Sequence, residues 1–405
     1  MRVLVLGGAG EIGRAAARLL AAAPEVEQLV IADLSEAAAT AVAAELGSVA
    51  VARQIDVADQ ERLVALARES DVVVNTVGPY FRFGPGILSA VIEAGRNYID
   101  VCDDPAPTAT MLEMHDRAVA AGVTAVLGMG ASPGVANLLA RQAVSGLDQV
   151  ESVVTGWNLL MAQPQERSWR PSAAIVHGIE QVSTPIPVIR GGAQVREKPL
   201  RETTIDYPGI GPGIGWTFGH PEPVTLARTY PQIVECVNVA VAPRYVIAPL
   251  AALGSSVRIG LLSRERAATV AAVVENVLPS SPLAALDNSA LPPLFALATG
   301  TLGGDRAAIG CALGQFPGLT MAEATGIPLA VGTLLNPDRP GVHPPEAVFE
   351  PAVFFQRLAP YCLGNPRPES MVVVTNSQWS AAVNAAALDS GSLVTALLRS
   401  RIRPA

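Results

Sequence analysis

Three glycines near the start of the chain, Gly8-x-Gly10-x-x-Gly13, follow the apolar run Val3-Leu4-Val5-Leu6. They open a segment that carries Ile12, Ala16, Leu19 and Leu20 at helical spacing. A strand, a glycine turn and a helix in that order make a place for an anion. One glycine allows the tight bend, one lets the backbone approach a pyrophosphate, and one lets the helix pack closely. The helix start, with the amides of Glu11 and Ile12 and the positive end of the dipole, would hold the phosphates. A second apolar strand, Leu29-Val30-Ile31-Ala32, ends in Asp33. An acid about 20 positions beyond the turn accepts hydrogen bonds from a ribose 2′-hydroxyl. No Arg or Lys follows Asp33 for several positions, so a 2′-phosphate would meet only negative charge. The expected cofactor is therefore NAD rather than NADP.

Other candidates lie further along. Asp56 closes a third strand, where an acid often lies near the adenine, and Asn75 closes a fourth. The run Asp100-Val101-Cys102-Asp103-Asp104 follows a fifth. Clustered carboxylates there would bind a cationic amine or raise one another's pKa for acid/base work, which makes Asp103 and Asp104 candidate substrate contacts. One of them also reads as the N-cap of a helix that begins near Pro105. His220, beside Pro221-Glu222, reads either as a proton shuttle or as the residue that fixes a turn. Trp157 reads as a pocket wall or as core. Trp169, Arg170, His177, Glu180, Trp216, Glu222 and Arg228 complete the chemistry-bearing set of the middle of the chain, and His115 reads as surface or packing.

These residues need elements to hold them. Ser35 caps a helix to about Leu46, Val49–Ile55 is a strand, Gln60–Glu69 a helix and Asp71–Thr76 a very apolar strand. Strands alternating with helices of this length predict right-handed crossovers and a doubly wound parallel sheet, which binds ligands beyond the carboxyl ends of its strands. From Glu151 the pattern turns strand-like, then rich in Pro and Gly from Pro164 to Pro223, then strand-like at Ile233–Ala242 and Ser256–Leu262. A mixed sheet with long loops is expected there. Residues 264–278 read as a helix, 282–293 as a connection, and Thr320–Leu335 and Phe349–Leu358 as helices. The end reads as a strand over Met371–Thr375 and a helix over Ser380–Arg399.

Several stretches together are family-specific. Asn75-Thr76-Val77-Gly78-Pro79-Tyr80 with Gly84, Glu93-Ala94-Gly95 and Asn97-Tyr98-Ile99-Asp100 form one group. Leu127-Gly128-Met129-Gly130-Ala131-Ser132-Pro133-Gly134-Val135-Ala136-Asn137-Leu138 forms a second. His220-Pro221-Glu222-Pro223, Thr325-Gly326-Ile327-Pro328, Gly341-Val342 and Pro345-Glu346 complete the set. The chain resembles the saccharopine dehydrogenase-like family over most of its length. That resemblance implies an α/β protein: an NAD(P)-binding Rossmann domain over 1–131 and an inserted substrate and dimerisation α/β domain with a mixed sheet over 132–320. The chain would return to the first domain over 321–365, leaving 366–405 unassigned. It also implies hydride transfer between a nicotinamide and an amine or imine carbon of an amino-acid- or polyamine-like substrate, with the substrate in the cleft below the inserted domain. Gly78, Pro79 and Tyr80 would then lie beside the nicotinamide, Tyr80 either donating to the reacting nitrogen or walling the pocket. Arg82 would clamp a substrate carboxylate or stand in an exposed loop.

Two positions depart from the family. Ser132 stands where saccharopine reductases carry an Asp before Pro-Gly, and Thr155-Gly156 where they carry Cys-Gly. A lost carboxylate removes a partner for a substrate ammonium and argues against saccharopine itself. The alternatives are a reductase of another polarised double bond, or a dinucleotide-binding sensor or scaffold without catalysis.

Composition narrows the classes. A net charge of −8 leaves no footprint for nucleic acid, and no basic amphipathic stretch points to a membrane. Half of the 405 residues are hydrophobic and 16% are charged, which predicts an extensive buried interface and a homodimer. The first strand starts at Arg2, leaving no room for a leader, and apolar runs break before a spanning length of about 18–20 residues, so the expected compartment is the cytoplasm. Cys102, Cys236, Cys311 and Cys362 show no metal or disulfide spacing, and no metal is expected. Lys198 is the only lysine and lies in a polar segment, which disfavours a Schiff base. No Tyr precedes it at Tyr-x-x-x-Lys spacing, which removes short-chain dehydrogenase chemistry. No Gly-x-Ser-x-Gly elbow or phosphate loop supports a hydrolase or kinase.

Overall fold

The computed structural model describes residues 1–159, 173–277 and 291–377. The chain opens with β1 (Arg2–Leu6), α1 (Glu11–Ala22), β2 (Gln28–Asp33), α2 (Glu36–Leu46), β3 (Ala50–Gln54) and α3 (Gln60–Arg68). It continues with β4 (Val72–Asn75), α4 (Tyr80–Ala94), β5 (Asn97–Asp100), α5 (Pro105–Leu112), α6 (His115–Ala120), β6 (Thr124–Val126) and α7 (Val135–Ser145). The caps follow the residues: Ser35 accepts the Ala38 amide, Asp59 accepts the Arg62 amide, and Gly95 closes α4 in the left-handed region.

The middle of the chain forms β7 (Gln149–Asn158), α8 (Ala173–Ser183), β8 (Ile186–Arg190), β9 (Ala193–Glu197), β10 (Glu202–Tyr207), β11 (Gly211–Thr217) and α9 (Glu222–Thr229). Then come β12 (Glu235–Val241), α10 (Arg244–Arg258), α11 (Arg264–Val277), β13 (Leu294–Leu302) and β14 (Asp305–Leu313). The last described elements are α12 (Met321–Leu335), β15 (Gly341–His343), α13 (Pro345–Val348), α14 (Pro351–Leu358) and β16 (Val372–Asn376).

Two compact units result, one of Met1–Val135 with Pro317–Tyr361, the other of Ala136–Phe316 with the chain from Cys362 onward. The first holds a seven-stranded sheet in the order β15-β6-β5-β4-β1-β2-β3, parallel throughout. β1 sits between β2 and β4, so the strand order reverses beside the glycine turn, and a crevice opens at the carboxyl ends there. Val3 to Leu6 are fully buried, as a central strand covered on both faces requires. α12 lies on α1, and Gly326 makes the approach possible: a Cβ there would stand 2.7 Å from the Ile12 carbonyl oxygen.

The second unit holds a mixed sheet of nine strands among the described residues, with the path β10-β11-β12-β7-β13-β14-β16 and β8 and β9 to the side. Only β12 and β7 pair in parallel within it. Val237, Val239, Phe295, Leu297, Ile205 and Tyr207 form its principal apolar cluster. β16 pairs with β14, which places the strand foreseen at Met371–Thr375 in this sheet.

Two expectations need correction. The Pro- and Gly-rich stretch is not loops throughout: residues 186–217 form four strands. Gly191 and Gly192, at φ +57° and +77°, make the two-residue turn between β8 and β9, which only glycine adopts cheaply in succession. Ser256–Leu262 is not a strand. Ser256, Val257 and Arg258 end α10, whose Val246, Ile247, Leu250 and Leu253 carry the helical period, while Ile259 and Leu261 are 74% and 72% exposed. A short apolar run cannot by itself distinguish a helix end from a strand. The helix foreseen over Ser380–Arg399, Trp169, Arg170 and most of the 282–293 connection lie outside the described residues.

Candidate functional site

In the first unit the glycine turn is held from two sides. The Gly7 and Gly8 amides donate to the Ala32 carbonyl at 2.9 and 3.2 Å, and Thr76 Oγ1 donates to the Leu6 and Gly7 carbonyls. Gly7 needs its φ of +71°, and a Cβ on it would stand 2.9 Å from Thr76 Oγ1. A Cβ on Gly13 would run into the Gly7 carbonyl oxygen, so α1 starts directly on the turn. At Gly10 a Cβ would meet only the Gly7 oxygen, 3.3 Å away. Gly10 is also the N-cap of α1 and brings no side chain to cap it, with Glu11 exposed and Ile12 half-buried behind it. An open backbone ending in an uncapped helix start fits a pyrophosphate.

Asp33 stands at the end of β2, half-buried, with Oδ2 accepting the Ala9 amide at 3.3 Å and Oδ1 the Ser35 amide at 3.2 Å. Its carboxylate therefore faces the glycine turn, where a ribose hydroxyl would reach it. Asp56 is exposed beyond β3 and bends its own loop by accepting the Ala58 amide at 2.9 Å. One neighbour escaped the sequence reading. β3 brings the exposed Arg53 into register with Ala32, one residue from Asp33, a proximity that linear order hides.

The carboxyl ends of β4, β5 and β6 share a buried network. Asn75 Oδ1 accepts the Val77 amide at 3.0 Å, and its Nδ2 donates to the Tyr98 hydroxyl at 2.9 Å. Tyr98 donates in turn to Asp100 Oδ2 at 2.8 Å, while Asp100 Oδ1 accepts the amides of Gly128 at 2.7 Å and Cys102 at 3.0 Å. Burial is the main force that raises the Asp100 carboxyl to about 6, with the backbone and Tyr98 hydrogen bonds opposing it. The Tyr80 hydroxyl donates to the Asn75 carbonyl at 2.8 Å and accepts the Val101 amide at 3.3 Å. Burial, reinforced by the Asp100 charge, pushes its pKa well above the ordinary phenol value. In this structure Tyr80 thus joins the ends of two strands. Gly78 and Pro79, across a cis bond, are half-buried between Asn75 and Tyr80. Arg82 is exposed, with its guanidinium 4.8 Å from the Phe83 ring centroid.

Asp104 occupies the N-cap of α5, as expected of one of the pair, but its side chain makes no capping bond. Pro107 at the third helical position has no N–H to offer. The Asp104 carbonyl accepts the Thr108 hydroxyl at 2.8 Å instead. Asp103 is half-buried beside it. Asp100, in the same run, is the residue the sequence reading passed over. Its signal was an acid two places after Tyr98, hence on the same strand face in a buried strand.

The second unit has a cluster of its own. His220, 5% exposed, stacks parallel to Trp157 with centroids 5.1 Å apart, and Phe218 meets both edge-on. Glu222, fully buried at the start of α9, has Oε2 3.9 Å from His220 Nδ1. Asn238 joins the rest: Nδ2 donates to Thr155 Oγ1 at 2.9 Å and Glu222 Oε1 at 3.1 Å, and Oδ1 accepts the Trp157 indole at 3.2 Å. Sequence reading named Thr155, Trp157, His220 and Glu222 separately and missed Asn238, a single amide in the apolar strand Cys236–Val241. Other candidates lie apart from this cluster. Trp216 donates to the Ala242 carbonyl, Glu180 pairs with Arg264, Arg228 is exposed, and His177 is buried on α8. In the first unit His115 packs edge-on against His343.

Residues 3–126 match the family model described as the saccharopine dehydrogenase NADP binding domain. A lipid droplet localized protein of Caenorhabditis elegans is 27% identical over 187 residues, 39% of this chain and 43% of that protein. A trans-acting enoyl reductase of Mycobacterium leprae is 29% identical over 132 residues, 32% of this chain and 32% of that protein. The chain thus matches less than half the length of these relatives. Apo saccharopine dehydrogenase (L-Glu forming) of Saccharomyces cerevisiae superposes with a TM-score of 0.57 at 16% identity, covering 88% of this chain and 96% of that one, a likeness of fold.

Proposed function

We propose that this chain, whose residues 3–126 match the saccharopine dehydrogenase NADP binding domain, is an oxidoreductase of the saccharopine dehydrogenase-like family and transfers a hydride between a nicotinamide and an amine or imine carbon of an amino-acid- or polyamine-like substrate. The observation that carries the cofactor half of this reading is the Asp33 carboxylate turned onto an open glycine turn at the switch point of a parallel sheet. A bound nicotinamide dinucleotide supplies the hydride. The chain's part is to bind and orient: Gly8, Gly10, Gly13, Glu11 and Ile12 hold the pyrophosphate, Asp33 the ribose, Asp56 borders the adenine end, and Asn75, Gly78 and Pro79 border the nicotinamide end. Asp33 favours NAD in this proposal, against the pull of Arg53. Asp103 and Asp104 serve a cationic group of the substrate, and Tyr80 holds the ends of β4 and β5 together. Within the second unit, His220 carries a proton with Glu222 orienting it.

A second reading, reduction of another polarised double bond, is favoured by the enoyl reductase relative and by the uncharged Ser132 and Thr155. One experiment separates the readings. Calorimetric titration with NAD⁺ and NADP⁺ is followed by turnover assays on panels of amino acids, polyamines, cyclic imines and enoyl thioesters. Turnover confined to amines and imines supports the first reading, and turnover confined to enoyl compounds replaces it with the second. Cofactor binding with no turnover on any panel leaves a dinucleotide-binding scaffold.

A further inference from the structure

Asp100 is buried at the point where three loops of the proposed dinucleotide edge meet. Through Oδ1 it holds the amide of Cys102, just after β5, and that of Gly128, just after β6. Its own carbonyl accepts the Met129 amide at 2.6 Å. Through Oδ2 and Tyr98 it reaches Asn75, which fixes the Val77 amide after β4. Thr76, between Asn75 and Val77, is bonded to the glycine turn. A continuous chain of hydrogen bonds and backbone therefore runs from Asp100 to Gly7.

We propose that Asp100 is a positioning residue for dinucleotide binding, whose ionised carboxylate sets these loops and whose protonation loosens them. This rests on the dinucleotide reading above. The hydrogen count gives the reason. In the ionised state each hydrogen lying between these groups has an acceptor: Asn75 donates to Tyr98, Tyr98 donates to Asp100, and two amides donate to the other oxygen. A proton on Oδ2 places two hydrogens between the Asp100 and Tyr98 oxygens, and one must lose its acceptor in a site where both residues are buried. The groups that face Asp100 cannot substitute for the lost charge. Among the described residues they are Tyr98 on β5, Tyr80 on α4, and Cys102 and Asp103 after β5, none of them cationic. β4, β6 and residues 127–135 carry no titratable side chain, and the acid of α12, Glu323, is engaged in that helix's own cap. The raised carboxyl pKa of about 6 places the transition within reach of ordinary buffers.

The test is the affinity for NAD⁺ and NADP⁺, measured by calorimetry from pH 5 to pH 8 on the wild type, Asp100→Asn and Tyr98→Phe, with folding of each checked by circular dichroism. The amide of Asp100→Asn keeps one oxygen for the Gly128 and Cys102 amides and points N–H groups at Tyr98, so it mimics the protonated acid. The wild type is expected to lose about tenfold in affinity between pH 7.5 and pH 5, the worth of one buried hydrogen bond. Asp100→Asn is expected to be weak by about the same factor at pH 7.5 and flat below it. Titration of the ligand itself would appear equally in both proteins. Tyr98→Phe removes one of the competing hydrogens and is expected to flatten the profile, which keeps the test open if Asp100→Asn does not fold. A wild-type NAD⁺ profile that is flat, or an NAD⁺ step retained in either variant, overturns the proposal while leaving the dinucleotide reading intact. No binding by the wild type at any pH overturns both.

Discussion

Thr76 Oγ1 lies 3.1 Å from the carbonyl oxygen of Gly7, and this contact joins the loop after β4 to the glycine turn. Thr76 also donates to Leu6, so its hydroxyl bridges the two strand ends that border the crevice. Thr76→Val keeps the shape and removes the donor. It should cost about 1 kcal/mol of stability and weaken dinucleotide binding several-fold, read by urea unfolding and calorimetry together. Unchanged affinity would show that the turn holds its shape without Thr76.

Asp33→Ala should lower NAD⁺ affinity by about tenfold or more, since a hydrogen bond to a charged group contributes roughly 1.5–3 kcal/mol. NADP⁺ affinity should fall less or rise, because the negative charge that repels a 2′-phosphate is gone while Arg53 stays on the neighbouring strand. Leu34→Arg, at a position 67% exposed, should add to that shift. Equal losses for both cofactors would remove Asp33 from the role of discriminator.

Asp100 should also leave a mark on stability, with the opposite sense to its effect on binding. Its folded pKa of about 6 lies above the ordinary 3.8, so the native chain holds this proton more tightly than the unfolded one. Stability from this group is fully present below about pH 4 and is lost as pH rises through about 6, by roughly 3 kcal/mol. Asp100→Asn cannot ionise, so the difference in unfolding free energy between wild type and variant should change with pH in that window and level off above it. A difference constant from pH 4 to pH 8 would contradict this account. The ionised form that sets the loops is thus the less stable one, a common cost at functional sites.

Asn238→Leu should destabilise the chain by about 2–4 kcal/mol, because it removes the amide that bridges Thr155, Glu222 and Trp157 inside the second unit. Glu222→Gln retains an oxygen for Asn238 and should cost under about 1 kcal/mol. Thermal unfolding of both variants checks the pair, and a reversed order would mean that the carboxylate charge, rather than the amide, organises the cluster.

Short-range order made much of the first unit legible. The periods of 2 and 3.6, the caps at Ser35 and Asp59, and the glycine spacing are all properties of neighbours along the chain, and physics acts on them before any tertiary contact forms. The dinucleotide turn and Asp33 were readable for that reason. Ser256–Leu262 was not, because a short apolar run satisfies either period, and the hairpins of residues 186–217 were hidden by the glycines that make their turns. The site's inner partners were also hidden. Arg53 reaches the neighbourhood of Asp33 only through the register of β3 on β2, and Asn238 meets Thr155 only through the parallel pairing of β12 and β7. Asp100 looked like one acid of three in a row. Its distinction comes from burial, which raises its pKa, and from the folding of the 127–135 loop onto it, which supplies the amides. The sequence by itself determined which elements form and that a dinucleotide turn is among them. The tertiary structure alone decided which polar side chains share a buried acceptor, since burial and hydrogen bonding depend on residues far apart in the chain.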